Sequence, residues 1–169
     1  MDYFFLEKGI WFGGAAVGFA VLFNVPVRAL APVFLIGAAA GLTKAWSMHL
    51  GASVVSATLL GAILAGLLSI PSAHNRHAPP LVFAIPAVIP MVPGTFAYRM
   101  MLGLIKLSGN LQGEEFTRVL SDTVSYGLKV MFILMSLAGG VAIPMLLTRQ
   151  ESAKHIRFRK VRQPAKTED

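Results

Sequence analysis

The sequence predicts an all-α fold: a polytopic helical bundle with about five transmembrane helices, the fourth of them broken. Three observations carry this. The chain of 169 residues is 55% hydrophobic and only 14% charged, whereas a soluble domain carries about 25% charged residues. No acidic residue lies between Lys8 and Glu114. Charge-free apolar windows recur along the chain, and about 20 residues suffice for a helix to cross the hydrocarbon core.

The first window is 9–27. The stretch before it, MDYFFLEK, is acidic and aromatic, and no small-x-small cleavage site follows. It therefore does not read as a cleavable signal peptide, and the first window counts as a true span. The second window, 29–43, is short. It extends to residue 48 if Lys44 snorkels, or it forms a half-helix. The third, 50–73, is clean. The fourth, 78–98, runs on to residue 105, and the last is 130–148. Residues 108–113 form a turn-rich linker. Residues 114–129 then alternate charged and apolar positions at helical spacing, which predicts an amphipathic helix leading into the last span. The chain thus divides into a five-helix transmembrane domain, 1–148, and a basic tail, 149–169.

The fourth window, LVFAIPAVIPMVPGTFAYRMMLGLI, is the most informative stretch. Pro86, Pro90, Pro93 and Gly94 fall in its middle. Each proline lacks an N–H, so the carbonyl four residues back loses its helical partner. Those carbonyls belong to Val82, Pro86 and Ile89. Unpaired backbone groups at membrane depth persist where protein buries them or where they line a wet cavity. A Pro/Gly-interrupted span is therefore a pointer to a transport site. The plainer alternative is a kinked helix that packs around its neighbours. A half-helix restarting at Gly94 would present free N–H groups and a positive dipole end, suited to a carboxylate. Tyr98 offers a hydroxyl one turn on. Arg99 either contacts substrate or snorkels to the membrane surface.

Other residues fit the same picture. Asn24 and Pro26 end the first span, Asn24 by capping backbone and Pro26 by stopping the helix. Arg28 suits a lipid head group or a substrate carboxylate at the inner mouth. The spans contain no carboxylate pair. Asp122, beside Ser121 and Thr123, is the one candidate for proton coupling, or else a surface residue of the amphipathic helix. Small residues recur every fourth position: Gly9 and Gly13, then Gly14 and Gly18; Gly37, Gly41 and Ala45; Ser53, Ala57, Gly61, Ala65 and Ser69. Such ladders let helices approach closely. Three of them hint at a partner chain or a homo-oligomer.

Several function classes drop out. The chain has no cysteine, so no disulfide, thiolate metal site or cysteine nucleophile is possible. His74 and His77 lack a third ligand and make a poor metal site. No phosphate-binding loop, HExxH or GxSxG motif occurs, so neither a cofactor nor an enzyme is expected. Most of the net charge of +7 comes from the tail, with seven Lys/Arg against three acids. Following an apolar span, it reads as an anchor on anionic membrane lipids at the cytoplasmic face and not as a nucleic-acid contact. With five spans the N-terminus then faces outward. Nine Lys/Arg lie inside and five outside, with Arg99 within a span.

Two stretches, FxxxFNVPVRAL at 19–30 and IPAVIPMVPGTFAYRMM at 85–101, resemble the small subunit of the two-component threonine/serine exporter family of ThrE type. The order of the hydrophobic segments agrees, as do a late Gly/Pro span and a basic tail. The resemblance covers roughly 10–150. It implies a bacterial inner-membrane exporter of threonine, serine or a dicarboxylate such as succinate, working with a larger membrane subunit. Asn24, Pro26 and Arg28 match the first motif; Pro86, Pro90, Pro93, Gly94 and Tyr98 match the second. The expected function is export of a carboxylate-bearing solute. The alternatives are a non-transporting structural subunit and a partner-free homo-oligomeric channel.

Overall fold

The computed structural model describes residues 2–109 and 112–153, with side chains described for 7–109 and 112–148. Residues 154–169 of the basic tail lie outside the described residues. Six α-helices follow one another: α1 (Asp2–Leu22), α2 (Val27–His49), α3 (Val54–Arg76), α4 (Leu81–Val88), α5 (Gly94–Leu107) and α6 (Gly113–Ala153). One 3₁₀ turn, Ile89–Met91, extends α4.

The corner between α1 and α2 explains the Phe-Asn-Val-Pro run. Asn24 takes the left-handed conformation at φ 55. The Val25 N–H reaches back to the Ala20 carbonyl (2.9 Å) and the Asn24 N–H to that of Val21 (3.0 Å). This paired closure is the Schellman motif, with Val25 packing back toward the core. Pro26 then caps α2. Asparagine tolerates this backbone better than other residues with a β-carbon. Asn24→Gly should keep the stability of the chain, whereas Asn24→Ala should lower it by about 1–2 kcal/mol. Thermal unfolding in detergent reads the difference. Equal loss in both variants would mean that the side chain, not the backbone, matters here.

α2 is a full-length helix. It continues beyond residue 43 to His49 despite Pro32 in its first half. Lys44 therefore sits inside a helix and does not end one. Ser53 caps α3 through its hydroxyl, which accepts the Ser56 N–H at 3.2 Å. His77 closes α3 in the left-handed conformation, at φ 52. The expected amphipathic helix and last span form one unbroken helix, α6, with Pro144 inside it.

α1 and α2 run antiparallel with their backbones in close approach. A methyl group on Gly37 would lie 2.6 Å from the Ala16 Cβ, and one on Gly41 would overlap the Phe12 ring. α3 is the central helix and packs on α2, α4 and α6. On one side Gly61 faces the Ala40 carbonyl and the Met91 sulfur; on the other, Gly66 and Ala62 meet α6 at Val141 and Gly140. Ala57, Gly61, Ala65 and Ser69 are all buried. The small residues of α2 and α3 are thus used within the chain. Gly14 and Gly18 of α1 differ: a side chain there would meet nothing in this chain, and Gly13 makes the contact with α2 instead.

Among the described residues, three helices are long and apolar enough to cross a membrane: α2, α3 and α6. α4 and α5 make a fourth span if the bent pair counts as one. α1 lies alongside α2 from Gly9, opposite Leu42, to Ala16, opposite Gly37. It ends at Leu22, five residues before the expected boundary at 27, because the Asn24 corner closes it. α3 and α6 run parallel, with Ala62 beside Gly140 and Gly66 beside Pro144. The part of α6 before about Leu128 consequently reaches past the first turn of α3. There it pairs with α5, which packs mainly on α6 and buries none of its own residues fully.

Candidate functional site at the broken helix

The chain bends by 56° between the α4 segment and α5. Three residues make the bend. Val92 is extended (φ -58, ψ 137), as the residue before a proline prefers. Pro93 follows at φ -82, ψ 58, the geometry of an inverse γ-turn, and the Gly94 N–H closes it on the Val92 carbonyl at 2.9 Å. Ala97 N–H then bonds the Pro93 carbonyl at 3.0 Å, and α5 is under way.

Two expectations change here. The Ile89 carbonyl is not left open, because the Val92 N–H takes it at 2.9 Å in the 3₁₀ turn. The first N–H of the half-helix is not free either, because Gly94 gives it to Val92. One group that leaves the helical ladder is the Met91 carbonyl. Its regular partner would be the Thr95 N–H, which the bend carries away. Lys44 replaces it: the Lys44 ammonium donates to the Met91 carbonyl oxygen at 3.0 Å, across 47 residues of sequence. Lys44 is half-buried and the Met91 side chain is fully buried against Gly61. Lys44 does not simply snorkel outward; it pins the break. Neither charge nor spacing in the sequence pointed to this pair.

The proposed pathway residues fall into three groups. Pro86 and Pro93 are buried, and Pro90 is half-buried at the break. Pro90 borders a recess of about 400 Å³ between α1, α2 and the bend, lined by Lys8, Trp11, Phe12, Lys44 and Met48 among others. At the opposite end of α4, Pro86 joins Phe23, Val25 and Ile85 around a second recess of about 370 Å³. Asn24, Pro26 and Arg28 are exposed beside that end and do not line it.

Arg99 and Asp122 come together on the α5–α6 hairpin, away from the break. They line one recess of about 260 Å³ with Lys106, Thr123 and Tyr126. Phe96 stacks on Tyr126 with centroids 6.2 Å apart. Arg99 donates to the Tyr126 hydroxyl at 3.3 Å and lies 5.6 Å from its ring centroid. Lys129 lies over both rings, at 5.7 and 5.6 Å. Gly103 lets α5 close on Thr123. Tyr98 is exposed and lines neither recess at the break nor this one. Arg99 therefore has an aromatic partner in its own chain, which its isolated place in the sequence did not suggest.

A helical membrane bundle with a Pro/Gly break, a half-buried lysine at the break and recesses at both ends of the interrupted helix has the build of a solute transporter. Residues 10–147 match the family model described as threonine/serine exporter, ThrE. The chain belongs to that family, which is one of transporters. It is 32% identical over 133 residues to a Haemophilus influenzae protein described as uncharacterized, covering 78% of this chain and 43% of that one. The chain thus spans less than half the length of that relative. No solved structure matches.

Proposed function

We propose that the chain is the small membrane subunit of an exporter that moves a carboxylate-bearing solute out of the cytoplasm. Threonine and serine are the first candidates, and a dicarboxylate such as succinate is the next. The observation that carries this is the pinned break, Lys44 on the Met91 carbonyl, in a member of an exporter family. An intramembrane cation is by default a functional group. In this reading the recess beside Pro86 is the cytoplasmic entrance, flanked by Asn24 and Arg28, and the recess beside Pro90 is the exit. The N-terminus lies outside, and the C-terminal tail rests on anionic lipids of the inner membrane.

A larger membrane subunit of the same family completes the pathway. The match to less than half of the Haemophilus relative supports it, since that protein is long enough to hold a second part. So does the α5–α6 hairpin. It leaves Met101, Ile105, Leu120, Val124 and Leu128 exposed, where a second subunit can cover them.

The test is a pull-down of the tagged chain from its own host in mild detergent, followed by export assays with whatever co-purifies. A stoichiometric larger membrane protein, with threonine or serine export that needs both, is the expected result. A stable oligomer of this chain alone, giving flux in liposomes, would instead favour the homo-oligomeric channel. Asp122 is the proposed proton-responsive group. Asp122 is exposed, so Asp122→Asn should leave the folded amount unchanged. It should abolish the response of export to an imposed proton gradient; a full response in that variant would remove Asp122 from the mechanism.

A further inference from the structure

We infer that the outward face of α6 pairs with the same face of a second copy of this chain, giving a dimer whose two α6 helices run parallel. The dimer neither requires the exporter reading nor supplies a pathway of its own.

The inner side of α6 is used within the chain. Ile133, Leu137 and Val141 are buried, and Gly140 lies against α3. The opposite side is exposed, with Val124, Leu128, Met131 and Met135 at its centre. Thr117 and Ser121 continue it toward one end, Ala138 and Ala142 toward the other, and all four are exposed. From 117 to 142 the steps alternate strictly between four and three residues. That is the 3.5-residue period of a seam one helix offers another in a left-handed pair. A face that met only lipid would need no such period. At 1.5 Å per residue the seam is about 38 Å long, against about 30 Å of hydrocarbon. Its outer part also reaches past the first turn of α3, so lipid tails alone do not cover it.

The seam suits a copy of itself. Copies of one membrane protein share an orientation, so a two-fold axis along the membrane normal sets each seam residue against its equivalent. Apolar residues tolerate this, and so does the Ser121 hydroxyl, which both donates and accepts. Charges do not. Glu115, Asp122 and Lys129 lie seven residues apart on a row away from the seam, and the seam stops three residues short of Glu114.

The flanks carry the argument further. In a parallel pair each flanking residue on one side of the seam meets the residue five positions on in the other copy. Gly113 then meets Arg118, Leu120 meets Ser125, Gly127 meets Phe132 and Leu134 meets Gly139. Each pair sets a large side chain against a small one, and one sequence supplies both. Within this chain a side chain on Gly139 would meet nothing, whereas Gly127 has only the flexible Met100 of α5 beside it. A recess of about 550 Å³, lined by Val55, Ser121, Val124, Leu128 and Phe132 among others, gives the second copy's side chains room. Met101 and Ile105 of α5 stay open to the larger subunit.

The chain has no cysteine, so single cysteines report the contact cleanly. Leu128→Cys and Met135→Cys are each placed in the tagged chain, at its natural level in its own host, and the membranes are oxidised with copper phenanthroline. Each should run mostly as a disulfide-linked dimer, and Leu35→Cys, on the exposed side of α2, should stay monomeric. Adding Gly139→Leu to Leu128→Cys sets leucine against Leu134. The dimer yield should fall about tenfold, the scale of an overpacked contact, with helix content unchanged by circular dichroism. Adding Leu134→Ala as well should restore it. The proposal is overturned if neither seam cysteine gives the dimer, if Leu35→Cys gives as much, or if Gly139→Leu has no effect. A seam cysteine that links instead to a different chain assigns the face to that chain and also overturns it.

Discussion

Replacing Pro93 and Gly94 together by alanine is expected to lower export while the chain stays in the membrane at its normal level. Three restraints would vanish. Val92 would be free to turn helical, since no proline follows it. Residue 93 would regain an N–H that can reach the Ile89 carbonyl. Position 94 would lose the conformational freedom of glycine. Proline disfavours a helix interior by about 3 kcal/mol and glycine by about 1, so helical continuation gains about 4 kcal/mol. Gly94 is open to solvent or lipid, and a methyl there meets nothing, so the substitution introduces no clash. Opposing it are the contacts of α5 on α6: the Phe96–Tyr126 stack, at about 0.5–1.5 kcal/mol, and cation–π contacts at about 0.5–1 kcal/mol each. Together these oppose by about 2–4.5 kcal/mol, comparable with the gain, so a straighter helix becomes populated beside the bent one. In that helix Thr95 N–H takes the Met91 carbonyl and Lys44 is displaced. Export should fall at equal protein level on immunoblot. Unchanged export with equal protein level would mean that the bend is packing and not mechanism.

The sequence marks the break well because proline chemistry is local. Pro93 lacks its N–H wherever the chain goes, so the interruption at 93–94 is legible from residue types. Asn24 and Pro26 were legible in the same way, as a cap and a stop, and the corner they form is a backbone device. What sits opposite the break was not legible. Lys44 lies 47 residues from Met91, and its charge ended the apolar window that defines the second segment. A lone lysine in such a window reads as a boundary. It is none here, because the bend frees one carbonyl at the depth where Lys44 emerges from α2.

The small-residue ladders could be read only in part, for a related reason. Four-residue spacing shows that one helix face is narrow but not which neighbour uses it. The ladders of α2 and α3 are used by α1, α4 and α6, so the apparent surplus shrinks to Gly14 and Gly18. Arg99 and Asp122 were singled out separately, one in the fourth window and one in the amphipathic stretch. Their meeting depends on α5 leaving the bundle and folding back along α6, which is set by the 56° bend. The interruptions that residue types impose, at Asn24 and at Pro93, could be read in advance; the local turn that closes the Ile89 carbonyl and the Gly94 N–H, and the direction of the helix after it, could not.

Gly41→Leu should remove most of the folded chain. α1 and α2 meet where Gly41 has no side chain, and a methyl group alone would overlap the Phe12 ring near its attachment to the backbone. Because the overlap includes the Phe12 Cβ, turning the ring does not relieve it, and the two helices must separate. Overpacking of this kind costs about 1–3 kcal/mol, against a total stability of about 5–15 kcal/mol, and a leucine reaches further than a methyl. The loss should appear as a lower unfolding temperature in detergent and a reduced amount in the membrane. Phe12→Ala placed on top of Gly41→Leu should restore part of the stability, since it empties the space that the leucine enters. That rescue separates a specific helix contact from general damage. The outcome also bears on topology. Among the described residues α1 is not one of the helices long and apolar enough to cross a membrane, and its contact with α2 is what holds it in the bundle. If Gly41→Leu leaves the unfolding temperature unchanged, α1 does not lie along α2 in the membrane, and the recess that Trp11 and Phe12 wall off would have to be closed by another chain.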